Sequence, residues 1–256
     1  MRVTQLSWAG VLTEDFEDAV HFFSEVLGLL LEYRDEAKAI VHFRFPSGQL
    51  LEVYGPSNRQ RKEKYRRFKG PVLGFQVEDV GVARQQMMAR GVRFITEVET
   101  VPEGDEWAFF LGPEDKLFTI QRAVRRYPEK FERLSGFSRA GVVMQNFVEA
   151  VRFFSQVMEM PLARQDDGQE FAHFWLPAGH LFEVFGPNNR RGQLTPYATI
   201  AFEAEDVGQA RRELEARGVE FVGEVAVTST AEAITYFRGP DGYLYAIWKP
   251  RRVVAV

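Results

Sequence analysis

The sequence repeats itself, and this duplication limits the folds open to the chain more than any other feature. A shift of 131 residues aligns residues 9–59 with residues 140–190 without a gap, and about 23 of the 51 aligned positions are identical. Self-similarity at this level indicates two similar folded units. We therefore predict a first half at residues 1–122, a charged linker at 123–136 and a second half at 137–250.

A weaker repeat divides each half into two quarters. A shift of 64 residues places Gly10, Glu14, Asp15 and Ala19 on Gly74, Glu78, Asp79 and Ala83. Each quarter has the pattern of a strand, an amphipathic helix and further strands. The predicted modules span about residues 5–58, 70–122, 137–189 and 196–250.

The first quarter shows the local signals for these elements. Asp15 suits a helix N-cap, apolar residues recur at helical spacing through residues 16–27, and Gly28 suits the C-terminal cap. Two alternating segments then flank Pro46-Ser47-Gly48. A proline and a glycine between two such segments predict a β-hairpin.

Alternation along the strands separates their residues onto two faces. One face is uniformly apolar and is predicted to lie under the helices: Val11, Val41, Phe43, Phe45, Leu51, Val53, Leu73, Phe75, Val77, Phe118 and Ile120. The other face mixes aromatic and polar residues: Trp8, Leu12, Ile40, His42, Arg44, Leu50, Glu52, Tyr54, Val72, Gln76, Leu117, Thr119 and Gln121. Large apolar side chains are too frequent there for an ordinary solvated face, so we favour a ligand-lined groove.

Each half places a histidine beside a glutamate on this groove face. Antiparallel counting through the hairpin pairs His42 with Glu52, and the same count pairs His173 with Glu183. A carboxylate beside an imidazole serves acid–base chemistry. The same pair also serves as a structural contact in a partly buried sheet, or as a weak metal site, and these alternatives stay open.

The composition excludes several classes of function. The formal net charge of −4 argues against a nucleic-acid-binding protein, and the absence of cysteine removes disulfides, thiolate metal sites and cysteine nucleophiles. No apolar run reaches the ~18 residues of a membrane span, and the N-terminus lacks the apolar core of a signal peptide. We expect a cytoplasmic protein with neither nucleic acid nor membrane as a partner.

Three segments, residues 13–29, 75–80 and 239–244, resemble the vicinal oxygen chelate superfamily, which includes glyoxalases, bleomycin-resistance proteins and extradiol dioxygenases. The resemblance implies an α+β fold of four βαβββ modules in two tandem halves, each half a curved mixed sheet with helices on its outer face. It does not specify a reaction, because this group contains both enzymes and drug-binding proteins. The fused halves resemble two copies of a single-half homodimer, so we expect a monomeric pseudo-dimer or a homodimer.

The resemblance also indicates where a metal would bind, on the first and last strands of each module. These positions hold Trp8, Glu52, Val72 and Thr119 in one half and Arg139, Glu183, Thr199 and Ala246 in the other. Each cleft has one carboxylate however the modules pair, whereas transition-metal sites take about three or more protein ligands. We therefore predict no metal and no other cofactor. Arg139 is expected either to form a salt bridge with Glu183 or to bind an anionic ligand.

The predicted function is metal-independent binding of a small, partly aromatic organic ligand in a cleft. The predicted ligand-binding residues are Trp8, His42, Arg44, Glu52, Tyr54, Arg139, Phe171, His173, Trp175 and Glu183. The alternative is a lyase, isomerase or dioxygenase-type enzyme of the same superfamily that uses His42 and Glu52 or an unorthodox metal site. A structural or regulatory domain with inactive clefts is a third hypothesis.

Overall fold

The computed structural model describes most of the chain. The described residues are 3–45, 47–58, 70–100, 102, 104–122, 136–190, 195–227, 233–239 and 242–249. The predicted linker lies outside them, apart from Gly136. No helix in the described part of the chain is long and apolar enough to span a bilayer.

The first half contains nine strands. They are β1 (Gln5–Leu12), β2 (Leu31–Asp35), β3 (Ile40–Arg44), β4 (Leu50–Tyr54), β5 (Val72–Gln76), β6 (Arg93–Phe94), β7 (Glu99–Thr100), β8 (Glu106–Leu111) and β9 (Leu117–Arg122). Its helices are α1 (Phe16–His21), which continues as a π-helical turn over Phe22–Val26, and α2 (Val80–Ala89), with a short 3₁₀ turn at Pro113–Asp115.

The second half repeats this order with eight strands. They are β10 (Phe137–Val143), β11 (Leu162–Asp166), β12 (Phe171–Trp175), β13 (Leu181–Phe185), β14 (Thr199–Glu203), β15 (Phe221–Val227), β16 (Ala233–Arg238) and β17 (Leu244–Lys249). Its helices are α3 (Phe147–Arg152), again continued by a π-helical turn over Phe153–Val157, and α4 (Val207–Glu215).

Each half forms one mixed sheet in which its two modules lie side by side. The strand orders are β2-β3-β4-β1-β5-β9-β8-β6, with β7 also pairing β8, and β11-β12-β13-β10-β14-β17-β16-β15. The first strands of the two modules, β1 and β5, pair antiparallel, whereas β1 pairs β4 in parallel. The predicted α+β architecture in tandem halves is confirmed, and the modules pair within halves.

A local signal sets the start of α1 as predicted, whereas the edge strand β2 is among the strands that the sequence pattern did not predict. The Asp15 side chain accepts a hydrogen bond from the Asp18 amide and so caps α1, and Asp79 caps α2 in the same way. Gly28 follows with a φ of 71°, a conformation that favours glycine. Strand β2 was missed because it lies at the sheet edge, where none of its five residues is buried and three are charged, so no core-facing apolar stripe marks it.

The helices and the apolar faces of both sheets share a single core. Every residue of the predicted apolar face belongs to it, which confirms that part of the prediction. The contacts between halves are reciprocal, since the start of each half packs against the end of the other. Phe23 meets Tyr245 with ring centroids 5.7 Å apart, and their counterparts Phe154 and Phe118 lie 5.6 Å apart.

Two arginines link the halves, because each donates to backbone carbonyl oxygens at the end of a helix in the other half. Arg217 of the second half donates to the carbonyl oxygens of Glu25 and Val26, at the end of the first π-helical turn. Its counterpart Arg90 donates to the Val157 carbonyl oxygen at 2.7 Å. Cationic side chains at helix C-termini satisfy carbonyl groups that have no partner within the helix. Each half therefore supplies a cap for the other.

Two side chains at equivalent positions reach across between β1 and β10. Gln49 Oε1 accepts a hydrogen bond from the Phe137 amide at 3.0 Å. In the other half, His180 Nδ1 accepts from the Leu6 amide at 3.1 Å. Gln49 Nε2 also donates to the Leu6 carbonyl oxygen at 2.9 Å. The equivalent backbone N–H groups are thus bound by a neutral side-chain amide in one half and by a titratable imidazole in the other.

This difference predicts a pH-dependent stability that one substitution removes. Burial lowers the pKa of His180 from 6.5 to about 4. The unfolded chain therefore takes up the proton first as the pH falls, so the stabilisation is complete above pH 6.5 and is lost toward pH 4. We expect His180 to account for about 2 kcal/mol of lost unfolding free energy between pH 7.5 and pH 5.

The measurement is urea unfolding at both pH values for the native chain and for His180→Gln, which copies the residue at position 49. The variant should lose less stability than the native chain on acidification. An equal loss in both proteins would show that protonation of this imidazole does not weaken the contact between the halves.

Candidate functional site

The groove face of the first half encloses an open cleft of about 190 Å³. Its lining residues are Trp8, Ile40, His42, Arg44, Leu50, Glu52, Asp105, Trp107, Phe109, Thr119, Gln121 and Arg122. They come from β3 and β4 on one side of β1 and from β8 and β9 on the other. Strands that are several positions apart can line one cavity only if the sheet curves around it.

Three aromatic residues form the apolar wall of this cleft. Trp8 and Phe109 meet edge to face, with ring centroids 5.8 Å apart, and Trp107 follows on the same face of β8. Gly74 makes room for Trp8, because a Cβ there would lie 2.8 Å from the Trp8 Cβ and 2.8 Å from a Thr119 methyl carbon. The sequence analysis did not include Trp107 and Phe109 among the site residues, although their alternate positions on one strand place both on the same face.

The polar floor centres on Glu52. The predicted pairing with His42 is confirmed by the strand register, and His42 Nε2 lies 3.1 Å from Glu52 Oε1. The Tyr54 hydroxyl donates a hydrogen bond to Glu52 Oε2. Tyr54 is completely buried and does not line the cavity, so it contacts the carboxylate from below instead of facing a ligand as predicted.

Three other polar residues of this cleft have partners within the protein. Arg44 Nε lies 3.1 Å from Glu32 Oε2, and its Nη1 donates to the Gly48 carbonyl oxygen. Arg122 pairs with Glu106 at 3.2 Å. The Thr119 hydroxyl donates to a backbone carbonyl oxygen of the sheet. The arginines of this cleft are therefore already neutralised by carboxylates of the chain.

The equivalent cleft of the second half is nearly filled. Arg139 occupies the position of Trp8 and forms a bidentate pair with Glu183, with N···O distances of 2.6 and 2.7 Å. Its guanidinium also lies 5.1 Å from the ring centroid of Trp248. His173 Nε2 is 3.2 Å from Glu183 Oε1, as the register predicts. The remaining space is about 20 Å³, roughly the volume of one water molecule.

The two predicted aromatic contacts of the second half lie to either side of this network. Phe171 is buried against Val143 and Phe185 and also contacts the His173 ring, with centroids 5.0 Å apart. Trp175 packs beside the cluster that contains Trp248. Neither residue lines the small remaining space. The sequence placed these side chains on the correct face but could not show that Arg139 fills the cleft.

A third cavity, of about 450 Å³, opens where the two halves meet. Its charged residues engage one another, since Arg93 pairs with Asp115 at 2.9 Å and Lys116 lies 3.6 Å from Glu114. The Glu114 carboxylate also accepts a hydrogen bond from the Asn146 amide. This cavity is larger than the first-half cleft, but its charged side chains already pair with other groups of the protein.

The donor set of neither cleft fits a transition-metal ion. Within the described ranges, no three histidine or carboxylate side chains converge. The first-half cleft offers Glu52 and His42, while Trp8, Val72 and Thr119 stand where the resemblance would place further ligands. In the second half, both carboxylate oxygens of Glu183 contact Arg139 or His173. We therefore assign no metal-dependent step to these residues.

Comparison with known proteins agrees with the architecture. The sequence profile of the Glyoxalase/Bleomycin resistance protein/Dioxygenase superfamily matches residues 5–119 and 136–247. No curated protein sequence matches the chain.

Solved structures share the fold at low sequence identity. The Mn(II)-bound glyoxalase from Novosphingobium aromaticivorans is 16% identical with a TM-score of 0.79, over 98% of this chain and 83% of that protein. The 2,3-dioxygenase LapB from Pseudomonas sp. KL28 is 15% identical with a TM-score of 0.72, over 98% of this chain and 94% of that one. At these identities the similarity establishes the fold alone.

The filled cleft predicts a strong dependence of stability on Arg139. Replacing Arg139 with Met leaves the Glu183 carboxylate, 2% exposed, without its cation. Breaking a buried pair from one side costs about 3–5 kcal/mol, whereas replacing both partners costs much less. We expect Arg139→Met to lower the unfolding free energy by about that amount, and the double variant with Glu183→Gln to recover at least half of it. Chemical denaturation checks this, and a loss below about 1 kcal/mol for the single variant would contradict it.

Proposed function

The chain belongs to the Glyoxalase/Bleomycin resistance protein/Dioxygenase superfamily, and from that premise we propose that it binds a small aromatic molecule in the first-half cleft without a metal. The observation that carries this proposal is the open cleft itself, which has an aromatic wall on one side and the Glu52–His42 pair on the other. An apolar cavity with a few polar groups is the usual form of a small-molecule site.

The size of the cleft supports a ligand with one ring. A cavity of about 150 Å³ lined by apolar side chains accommodates benzene, and this cleft measures about 190 Å³. Trp8, Trp107 and Phe109 offer ring faces and edges for stacking or edge-to-face contact. A ring with one polar substituent therefore matches both the volume and the lining.

The second half supports a different role for its cleft. Its equivalent space of about 20 Å³ is too small for an organic ligand. Arg139 and Glu183 satisfy one another there. Under this proposal the second half stabilises the molecule, and Arg139, Phe171, His173, Trp175 and Glu183 belong to its packing instead of to a ligand site.

An enzyme of the same superfamily is the second candidate, because an imidazole lies 3.1 Å from a carboxylate in the wall of the open cleft. Such a pair can transfer a proton at a bound ligand. Metal-dependent chemistry would need ligands beyond Glu52 and His42.

Elemental analysis of protein purified without chelator separates metal-independent binding from a metal-dependent enzyme. We expect less than about one tenth of a manganese, iron, nickel or zinc ion per chain, because Glu52 and His42 are too few ligands for tight binding. A stoichiometric metal that is lost in Glu52→Gln would replace the binding proposal with the enzymatic one.

Ligand binding itself is tested by thermal shift and calorimetry with single-ring aromatic compounds. A compound present at about 100 times its Kd adds about 2.7 kcal/mol to the stability of the native chain. We expect Trp107→Ala to weaken binding by about tenfold or more, since it removes one aromatic wall.

The matched control is Trp175→Ala, which removes the same type of side chain beside the filled cleft. It should leave the affinity unchanged. Equal losses in both variants would show that the compounds bind outside the first-half cleft, and no stabilisation by any compound would favour a structural domain.

A further inference from the structure

The first-half cleft contains a buried carboxylate that lacks the cation found at its counterpart. Glu52 is 8% exposed, and its contacts are the Tyr54 hydroxyl and His42. Across the described ranges, no arginine or lysine forms an ion pair with it. Glu183 has the equivalent histidine contact, and there Arg139 adds a bidentate pair. One histidine neighbour is therefore common to both sites, whereas the Tyr54 hydroxyl contacts the carboxylate only in the first half and the guanidinium only in the second.

The second half thus shows which chemical group this carboxylate position accepts. The Arg139 guanidinium is planar and cationic, donates two parallel hydrogen bonds to Glu183 and lies over the Trp248 ring. Bidentate carboxylate pairing and stacking on an aromatic ring are the characteristic interactions of guanidinium and amidinium groups. In the first half Trp8 replaces this arginine, and an open cavity borders Glu52 instead.

The surroundings of Glu52 suit a cation better than an anion. The two arginines of the cleft are paired with Glu32 and Glu106, so neither brings an uncompensated positive charge. The indoles of Trp8 and Trp107 line the same cavity as Glu52. Aromatic faces attract cations through their ring quadrupoles, most strongly where water is excluded.

We propose that the ligand of the first-half cleft is a single-ring aromatic cation whose amidinium, guanidinium or ammonium group binds Glu52. This inference rests on the proposed binding function and specifies the charge of its ligand. The cationic group takes the part that Arg139 plays in the second half, and the aromatic ring packs against Trp8, Trp107 and Phe109.

The experiment compares three compounds of nearly equal shape by calorimetry on the full chain: benzamidine, benzamide and benzoate. We expect benzamidine to bind at least about tenfold more tightly than benzamide, and benzoate to bind most weakly, because only the cation pairs with the buried carboxylate. Equal or tighter binding of benzamide or benzoate would overturn the inference and leave the aromatic-binding function intact. Failure of all three compounds to bind would overturn both.

Two substitutions then test whether Glu52 is the group that selects benzamidine over benzamide. Glu52→Gln keeps the shape of the side chain and should reduce the benzamidine-to-benzamide affinity ratio to about one, while binding of benzamide persists. The control Glu17→Gln removes a carboxylate from the exposed surface and should leave the ratio unchanged. A ratio that survives in Glu52→Gln would show that another group selects the cation.

A third variant uses the duplication directly. Trp8→Arg gives the first half the residue that the second half carries at this position. Its side chain should pair with Glu52 and abolish benzamidine binding, while the melting transition remains cooperative. Undiminished benzamidine binding by the folded variant would contradict the assignment of Glu52 as the cation site, and if this variant does not fold, the Glu52→Gln comparison still decides.

Discussion

The packing of two sheets through one common core determines where this molecule can bind anything. Helices and apolar sheet faces from both halves meet in that core, and the phenylalanines at the start of each half contact the end of the other. The opposite sheet faces stay outside this core and form the two grooves. Because the contacts are reciprocal, each half stabilises the other, and one groove is free to diverge without loss of the fold.

The divergence is clearest at the carboxylate that both grooves retain. A buried carboxylate needs hydrogen-bond donors or a positive charge close by. Glu52 obtains a donor from the Tyr54 hydroxyl, whereas Glu183 obtains a guanidinium from its own sheet. In the first half, space remains next to the carboxylate. In the second half, the guanidinium fills that space. The difference between Trp8 and Arg139 at one strand position thus separates an open cleft from a closed one.

The sequence predicted the repeated architecture, the apolar faces and the His–Glu register, because these follow from periodicity and from counting through a short turn. It could not show that Arg139 turns inward onto Glu183 or that Tyr54 lies below Glu52, because both are rotamer choices made by the surrounding packing. Trp107 was overlooked for a different reason. It lies next to the start of β8, and strand ends are poorly defined by local pattern.

The contacts across β1 also have a consequence for how the chain is made. The Leu6 amide donates a hydrogen bond to a histidine 174 positions later, and Phe23 contacts Tyr245 near the far end of the described chain. Such distant contacts form late, since the intervening polypeptide must be present first. While the ribosome is still translating the second half, the emerged first half carries uncovered phenylalanine rings, which makes this the stage most exposed to aggregation and chaperone capture.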